Sequence, residues 1–220
     1  MHPIFVFGAN GHAGVVIDII EKQDVFEIVG LIDTYVPRNT RAHGYRVLGT
    51  EQDLPELMSE YGALGGIVAI GDNSTRAKVV ARIREQVPEF AFVTAIHPAA
   101  TLGRGTCIGA GTAIMAGAIV NPGTKTGEHC IVNTKASLDH DNVMGNFSSL
   151  GPGAITGGNV RIGQFAVLAQ GACVIHGRQI GEHAVVGAGS TVLRDIPPFT
   201  VSYGTPARVI RARQAGEKYL

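Results

Sequence analysis

From Thr101 to Ile196 the chain reads TLGRGT CIGAGT AIMAGA IVNPGT KTGEHC IVNTKA SLDHDN VMGNFS SLGPGA ITGGNV RIGQFA VLAQGA CVIHGR QIGEHA VVGAGS TVLRDI, sixteen hexads without an insertion. The second place is aliphatic in fourteen of them and is taken by the β-branched Thr126 and Thr156 in the other two. The sixth place is mostly Ala, Ser or Thr. Gly recurs through the run and helical periodicity is absent from it. A branched aliphatic, often followed by Gly, suits a short strand and then a tight corner. Three such sides close a triangular coil of eighteen residues, with the aliphatics turned inward and stacked on those of the next coil. Six-residue repeats of this kind mark a parallel β-helix. The run makes about five coils, or roughly 24–25 Å at ~4.8 Å per coil.

Residues 1–96 have a different character. PIFVFG reads as a buried strand, ANGHAG as a loop and VVIDIIEKQ as a helix. EIVGLID, YRVLG, GGIVAIG and FAFVTAI read as further strands. TEQDLPELMSEYG, with Thr50 as N-cap, and DNSTRAKVVARIREQ read as helices. Strands alternating with helices predict a Rossmann-like parallel sheet. The expected organisation is an α/β domain over 1–96 followed by a β-helix domain with a C-terminal tail over 97–220.

Acidic and basic residues balance at 18 each, so no strong field toward nucleic acid or an anionic membrane is expected. No apolar stretch is long enough to span a bilayer, and no signal peptide is evident. Cys107, Cys130 and Cys173 have no paired spacing, which predicts neither a disulfide framework nor a thiolate metal site and fits a reducing cytoplasm. With 30 Gly, no Trp and only 16% charged residues, the surface is unusually apolar, which points to burial in an oligomer.

His140 stands at a coil corner in SLDHDN, between Asp139 and Asp141. Histidine is the usual base near neutral pH, and a neighbouring carboxylate fixes its tautomer and raises its basicity. Residues eighteen apart share a corner, so Pro122, His140, Gly158 and His176 form a column, with the two histidines about 9–10 Å apart. Gly158 between them is expected to leave an open notch through which a ligand arm passes the base. In the N-terminal half, FVFGANGHAG joins a strand to a helix. Gly8, Gly11 and Gly14 do not match G-x-G-x-x-G, yet small residues before a helix N-terminus suit a phosphate. Asp33 ends the second strand, where an acid reaches a ribose or base.

The hexads resemble the left-handed β-helix acyltransferases, and the left hand is implied by that resemblance. The segment IVNTKASLDHD, the loop GANGHAG, the segment AIGDNSTRAK, the join IHPAA and the tail PPFTVSYGTPARVI resemble the bacterial nucleotide-aminosugar N-acetyltransferases and sialic acid O-acetyltransferases, including the GDP-perosamine and UDP-bacillosamine types. The resemblance implies a homotrimer that takes acetyl-CoA as co-substrate in grooves between neighbouring β-helices. It implies His140 as base, Asp141 as its partner, and Asn133 and Asp139 at supporting polar positions. It places Ser149, Gly158, Ala169, Gln170, Gly187 and Ala188 along acetyl-CoA, with Ser149 standing where some relatives carry a histidine. It places Gly8, Asn10, Gly11, His12, Asp33, Thr34, Gly71, Asp72 and Asn73 around a nucleotide diphosphate-sugar. The expected reaction is N-acetylation of a nucleotide-linked 4-amino-4,6-dideoxy sugar. The alternatives are O-acetylation of a sialic-acid-like sugar and a non-enzymatic β-helical scaffold. A further alternative is a metalloenzyme like the γ-class carbonic anhydrases, which share this helix. His140 and His176 meet the first spacing of that ligand set, but Gly181 stands at the third place and His183 two residues beyond it. No metal is expected, and no nucleic-acid or membrane partner.

Overall fold

A computed structural model describes residues 1–218. The chain divides into two compact units, Met1–Pro98 and Ala99–Leu220.

The first unit is a parallel sheet flanked by helices. Strand β1 (His2–Phe7) leads into α1 (Gly11–Gln23), then β2 (Phe26–Ile32), a short antiparallel pair β3 (Arg41–Ala42) and β4 (Tyr45–Gly49), α2 (Leu54–Tyr61), β5 (Gly65–Val68), α3 (Asn73–Gln86) and β6 (Ala91–Phe92). The sheet order is β3-β4-β2-β1-β5-β6. The chain order reverses about β1, whose C-terminal end therefore opens on the crevice typical of such folds. Phe5, Phe7, Leu31, Ile67 and the helix residues Ile17, Ile20 and Ile83 form the core. Two expected boundaries shift. Thr50 does make a capping box with Asp53, but over a 3₁₀ turn at Glu51–Asp53, and α2 begins only at Leu54. The segment expected as one closing strand splits into Ala91–Phe92 and Ala95–Ile96.

The second unit is a left-handed parallel β-helix. Its two-residue strands pair in register at intervals of eighteen. On the first side Ile119, Ser137, Ile155, Cys173 and Thr191 stand in one file. The second side carries Lys125, Val143, Arg161 and Gln179, and the third Ala113, Ile131, Ser149, Val167 and Val185. The second-place aliphatics from Ile114 to Val192 are buried, whereas Leu102 in the opening coil is 39% exposed. The spacing of eighteen ends after Val192. Ile196 bridges Ile180, and Val201 pairs with Val185, so the final coil is two residues short and Ile196 takes an inward-facing strand position. A hairpin, Thr200–Gly204 with Ala207–Ala212, closes the helix.

Each corner needs one left-handed residue. From Gly105 to Gly189 the fifth place of every hexad has a positive φ, including seven non-glycine residues. At the corner between the second and third sides, His129, Phe147, Phe165 and His183 occupy it and stack, joined by Phe199, with centroids 4.6–5.2 Å apart. A β-carbon in this conformation costs about 1–2 kcal/mol, and each ring pair returns about 0.5–1.5 kcal/mol beyond its buried area. The ladder thus makes aromatic residues tolerable where glycine would otherwise be expected.

Candidate active site

Asp141 holds the left-handed fifth place of its hexad (φ 57°), a conformation that Asp and Asn accept more readily than most residues. The turn sets its carboxylate beside the preceding side chain, and His140 Nδ1 lies 2.8 Å from Asp141 Oδ2. The hydrogen bond to Asp141 raises the pKa of His140, outweighing a small desolvation, and the charges of Asp139 and Asp141 act in the same direction. An imidazole donating from Nδ1 presents Nε2 as the basic nitrogen. Asp139 accepts from the His140 backbone N–H at 2.8 Å and from Asn121 Nδ2 at 3.2 Å, so its carboxylate braces the turn.

The notch expected at Gly158 is filled. A β-carbon built there would run first into His140 Nε2, with Cε1 at 2.5 Å and Cδ2 at 2.9 Å. The ring leans over this glycine, so the missing side chain makes room for the base. His176 stands exposed on the same corner. His183 belongs to the aromatic ladder of a different corner. Among the described residues no group of three His, Cys, Asp or Glu side chains converges on a metal position.

The other expected residues of this unit divide by side. Asn133 and Ser149 lie on the third side, with Asn133 Oδ1 accepting from the Thr134 N–H at 2.7 Å. Ala169, Gln170 and Ala188 lie where the third side turns into the first. Around them Gly153, Gly171 and Gly189 have nothing within 4 Å of an added β-carbon. Gly187 is different, because the Tyr203 ring lies directly on it and takes the space above its α-carbon. His140 and these residues therefore stand at opposite ends of the first side, and one chain does not bring them together.

In the first unit, Gly8 (φ 113°) turns the chain out of β1, with its N–H donating to Ile32 O at 2.8 Å. Asn10 is the N-cap of α1 but makes no side-chain capping bond, and no acid lies in the helix's first turn. Gly11 has open space where a β-carbon would stand. His43, which sequence reading passed over, reaches across from the β3–β4 turn, and its Nε2 lies 3.2 Å from Ala9 O and 3.0 Å from Asn10 O. Gly14 must be small, since an added β-carbon would meet His43 Nδ1 at 2.7 Å. Burial, reinforced by the positive charge of Arg76, holds the His12 pKa down to about 4, so His12 is a neutral ring at neutral pH.

Asp33 Oδ1 accepts from the backbone N–H groups of Tyr35 and Val36. Thr34 Oγ1 donates to Glu51 at 2.7 Å, and Arg82 donates to the other Glu51 oxygen at 2.7 Å. Burial pushes Glu51 up, but the hydrogen bonds from Arg82 and Thr34 prevail and keep its carboxyl below the ordinary value. A cavity of about 460 Å³ is bordered by Thr34, Tyr35, Glu51 and Arg82. A second of about 180 Å³ is bordered by Gly8, Asp33, Thr34, Thr75, Lys78 and Arg82. Glu51 and Arg82 lie outside the motif segments that the sequence singles out, and Lys78 is the last residue of AIGDNSTRAK. Asp72 and Asn73 are used inside the fold. Asp72 caps α3 by accepting from Thr75, and buried Asn73 accepts from Arg76, which also donates to the carbonyls of Ile70 and Gly71.

Residues 3–83 match the family of the PglD N-terminal domain. Over 95% of this chain and 97% of the other, the protein is similar to GDP-perosamine N-acetyltransferase from Caulobacter crescentus, with 35% identity and a TM-score of 0.88. That enzyme was crystallised with CoA and GDP-perosamine, both as PerB and as variants with one histidine replaced by alanine or asparagine. The acetyltransferase domain of PglB from Neisseria gonorrhoeae FA1090, crystallised with acetyl coenzyme A, is 30% identical over 95% of this chain and 99% of that one (TM-score 0.86). WeeI from Acinetobacter baumannii AYE, at 24% identity over 96% of this chain and 100% of that one (TM-score 0.84), shares the fold.

Proposed function

The chain belongs to the nucleotide-sugar acetyltransferases of the hexapeptide-repeat family, and from that premise we propose that it acetylates the 4-amino group of a nucleotide-linked 4-amino-4,6-dideoxy sugar. The single observation that carries the chemistry is the His140–Asp141 pair, 2.8 Å apart on an exposed corner. Acetyl-CoA supplies an activated acetyl thioester. His140 Nε2 takes the proton that the amine gives up as the new C–N bond forms, then returns it to the departing sulfur as the C–S bond breaks. Asp141 stabilises the imidazolium between these events and keeps Nδ1–H turned away from the substrate.

The first unit is read as the nucleotide-sugar domain. The uncapped start of α1 and open Gly11 suit a diphosphate, and with His12 neutral the cations bordering the cavity beside Gly8 are Lys78 and Arg82. The cavities beside Asp33, Thr34 and Glu51 suit the nucleoside. Gly71, Asp72 and Asn73 support the wall from within. In the β-helix, Ala169, Gln170 and Ala188, beside the open corner glycines, suit an extended pantetheine arm, with Tyr203 over Gly187 as part of its wall and Ser149 as a hydroxyl donor on the adjoining side. Because His140 stands at the far end of the first side from these residues and from Asn133, a complete site requires a second copy. We therefore propose a homotrimer in which the first side is covered. The half-exposed Ile119 and Ile155, which point outward there, favour this. The cytoplasm, where acetyl-CoA and nucleotide sugars are available, is the proposed location. No helix among the described residues is long and apolar enough to cross a membrane.

The test is release of CoA thiol from acetyl-CoA with UDP-, dTDP- and GDP-linked 4-amino sugars. Turnover with one of them, reduced by roughly two to four orders of magnitude in His140→Ala at little change in substrate affinity, is the expected result. Silence across the panel from a folded protein would overturn the amine acceptor. Near-parental turnover in His140→Ala would remove His140 from the chemistry.

A further inference from the structure

Directly inside the corner that carries His140, the interior of the coil turns polar. Asn142 is fully buried (0% exposed) and Thr156 nearly so (4%). Asn142 holds the sixth place of its hexad, and Thr112 and Thr124 show what a hydroxyl does there. Their Oγ1 atoms donate to the carbonyls of Gly127 (3.1 Å) and Asp139 (2.7 Å), fifteen residues ahead. They also accept from the N–H groups of Cys130 and Asn142, eighteen ahead (3.1 Å each). Asn142 makes the same two links to the next coil, Nδ2 to Gly157 O and Oδ1 from the Val160 N–H, both at 3.0 Å. Its Nδ2 also donates back to Asp139 O at 2.6 Å, within its own turn. A hydroxyl has one proton and an amide nitrogen two, so only the amide serves the next coil and its own turn together. Ser148, at the same place one side further on, donates within its turn to Gly145 O.

Thr156 is one of the two departures from the aliphatic second place. Its Oγ1 accepts from the Asp139 N–H at 3.3 Å and donates to Ser137 O at 3.4 Å. Thr126, the other departure, accepts from the Gly109 N–H at 3.1 Å in the corresponding way, on the second side. Asp139 is thus gripped at its N–H, its carbonyl and its carboxylate, and His140 is the next residue. On the preceding coil of this side the same two places are held by Val120 and Thr124, so the coil itself requires neither a second-place hydroxyl nor a sixth-place amide.

We propose that Asn142, supported by Thr156, is a positioning residue for the acetyl transfer: from inside the coil they hold Asp139 at both ends and so keep the His140 imidazole over Gly158. This rests on His140 being the base.

Asn142→Thr keeps the links to the next coil, on the precedent of Thr112 and Thr124, and loses the bond to Asp139 O, leaving that carbonyl to Thr124 alone. Thr156→Val keeps the shape and restores the aliphatic pattern. Both are expected to melt within a few degrees of the parent and to lower kcat about tenfold, with KM for acetyl-CoA and for the amino sugar within about twofold. Thr126→Val, which removes the matching bond at a corner without a base, is expected to leave kcat unchanged. Parental kcat in both Asn142→Thr and Thr156→Val, alongside an inactive His140→Ala, would overturn the proposal while leaving the base in place. An equal loss in Thr126→Val would overturn it too, since general loosening of the coil would then explain the effect. Should Asn142→Thr fail to fold, Thr156→Val against Thr126→Val decides. Retained turnover in His140→Ala overturns the base assignment itself, and this proposal with it.

Discussion

Gly158→Ala adds one methyl group beneath the proposed base. Gly158 does not lie in the left-handed region, so alanine brings no backbone strain, and the whole effect falls on what the new β-carbon meets. That is the His140 ring, Nε2 nearest of all, with Cε1 2.5 Å and Cδ2 2.9 Å away. Non-bonded carbons settle at about 3.5–4.0 Å, so the imidazole must retreat by about 1 Å. The ring is exposed and can swing outward, so stability is expected to change by less than about 1 kcal/mol. A misplacement of about 1 Å at a reacting group lowers turnover by about 10²-fold. The assay is CoA-thiol release at saturating substrates, paired with a thermal melt. The expected result is kcat down about 10²-fold with the melting temperature nearly unchanged. Parental kcat in a folded Gly158→Ala would refute the reasoning, because the ring would then have no need of its place over the glycine.

Three other perturbations are informative. The Asp141 bond raises the His140 pKa, and a base works when neutral, so the acidic limb of kcat/KM should lie above about 6.5. Asp141→Asn should move that limb down toward the ordinary histidine value and lower turnover on the plateau, which a pH–rate profile of both proteins checks. His12, held at about 4 by burial and Arg76, favours the folded state fully above the unfolded value of about 6.5. That contribution is lost as pH falls from about 6.5 to 4, by roughly 3 kcal/mol in total, and denaturant unfolding at several pH values should show His12→Gln without this decline. Phe165 stacks on Phe147 at 5.2 Å and on His183 at 4.6 Å while strained at φ 58°. Phe165→Ala should cost about 2–3 kcal/mol, and Phe165→Gly should recover about 1 kcal/mol of that by relieving the left-handed conformation, as read by chemical denaturation.

The hexads were legible because the coil is built from neighbours. A strand two residues long pairs eighteen residues away, so the inward aliphatic must recur at fixed spacing, and that recurrence is visible in the sequence. The shortened last coil escaped it: TVLRDI continues the count, yet Ile196 bridges Ile180 and so leaves the register by two residues. The fifth-place requirement was half hidden as well, since glycine announces a left-handed corner but Phe147, Phe165 and His183, which meet it within a ring stack, do not. In the first unit the strand-helix alternation and the glycine loop were readable. His43 was not, because it reaches the loop across more than thirty residues from a turn without a motif.

For the site, the sequence alone determined that His140 and Asp141 share a corner, because adjacency in a repeat of known period fixes place without tertiary information. It also marked Thr156 as an exception without giving a reason. Only the tertiary structure decided what surrounds the histidine: Gly158 as the seat of the imidazole, Asn142 beneath the turn, and Tyr203 over Gly187. These contacts join residues from different coils through side-chain direction and conformation, which periodicity does not specify. The separation of His140 from Asn133 and Ser149 was likewise a matter of sides of a triangle, set by the left-handed corners between them and not by distance along the chain.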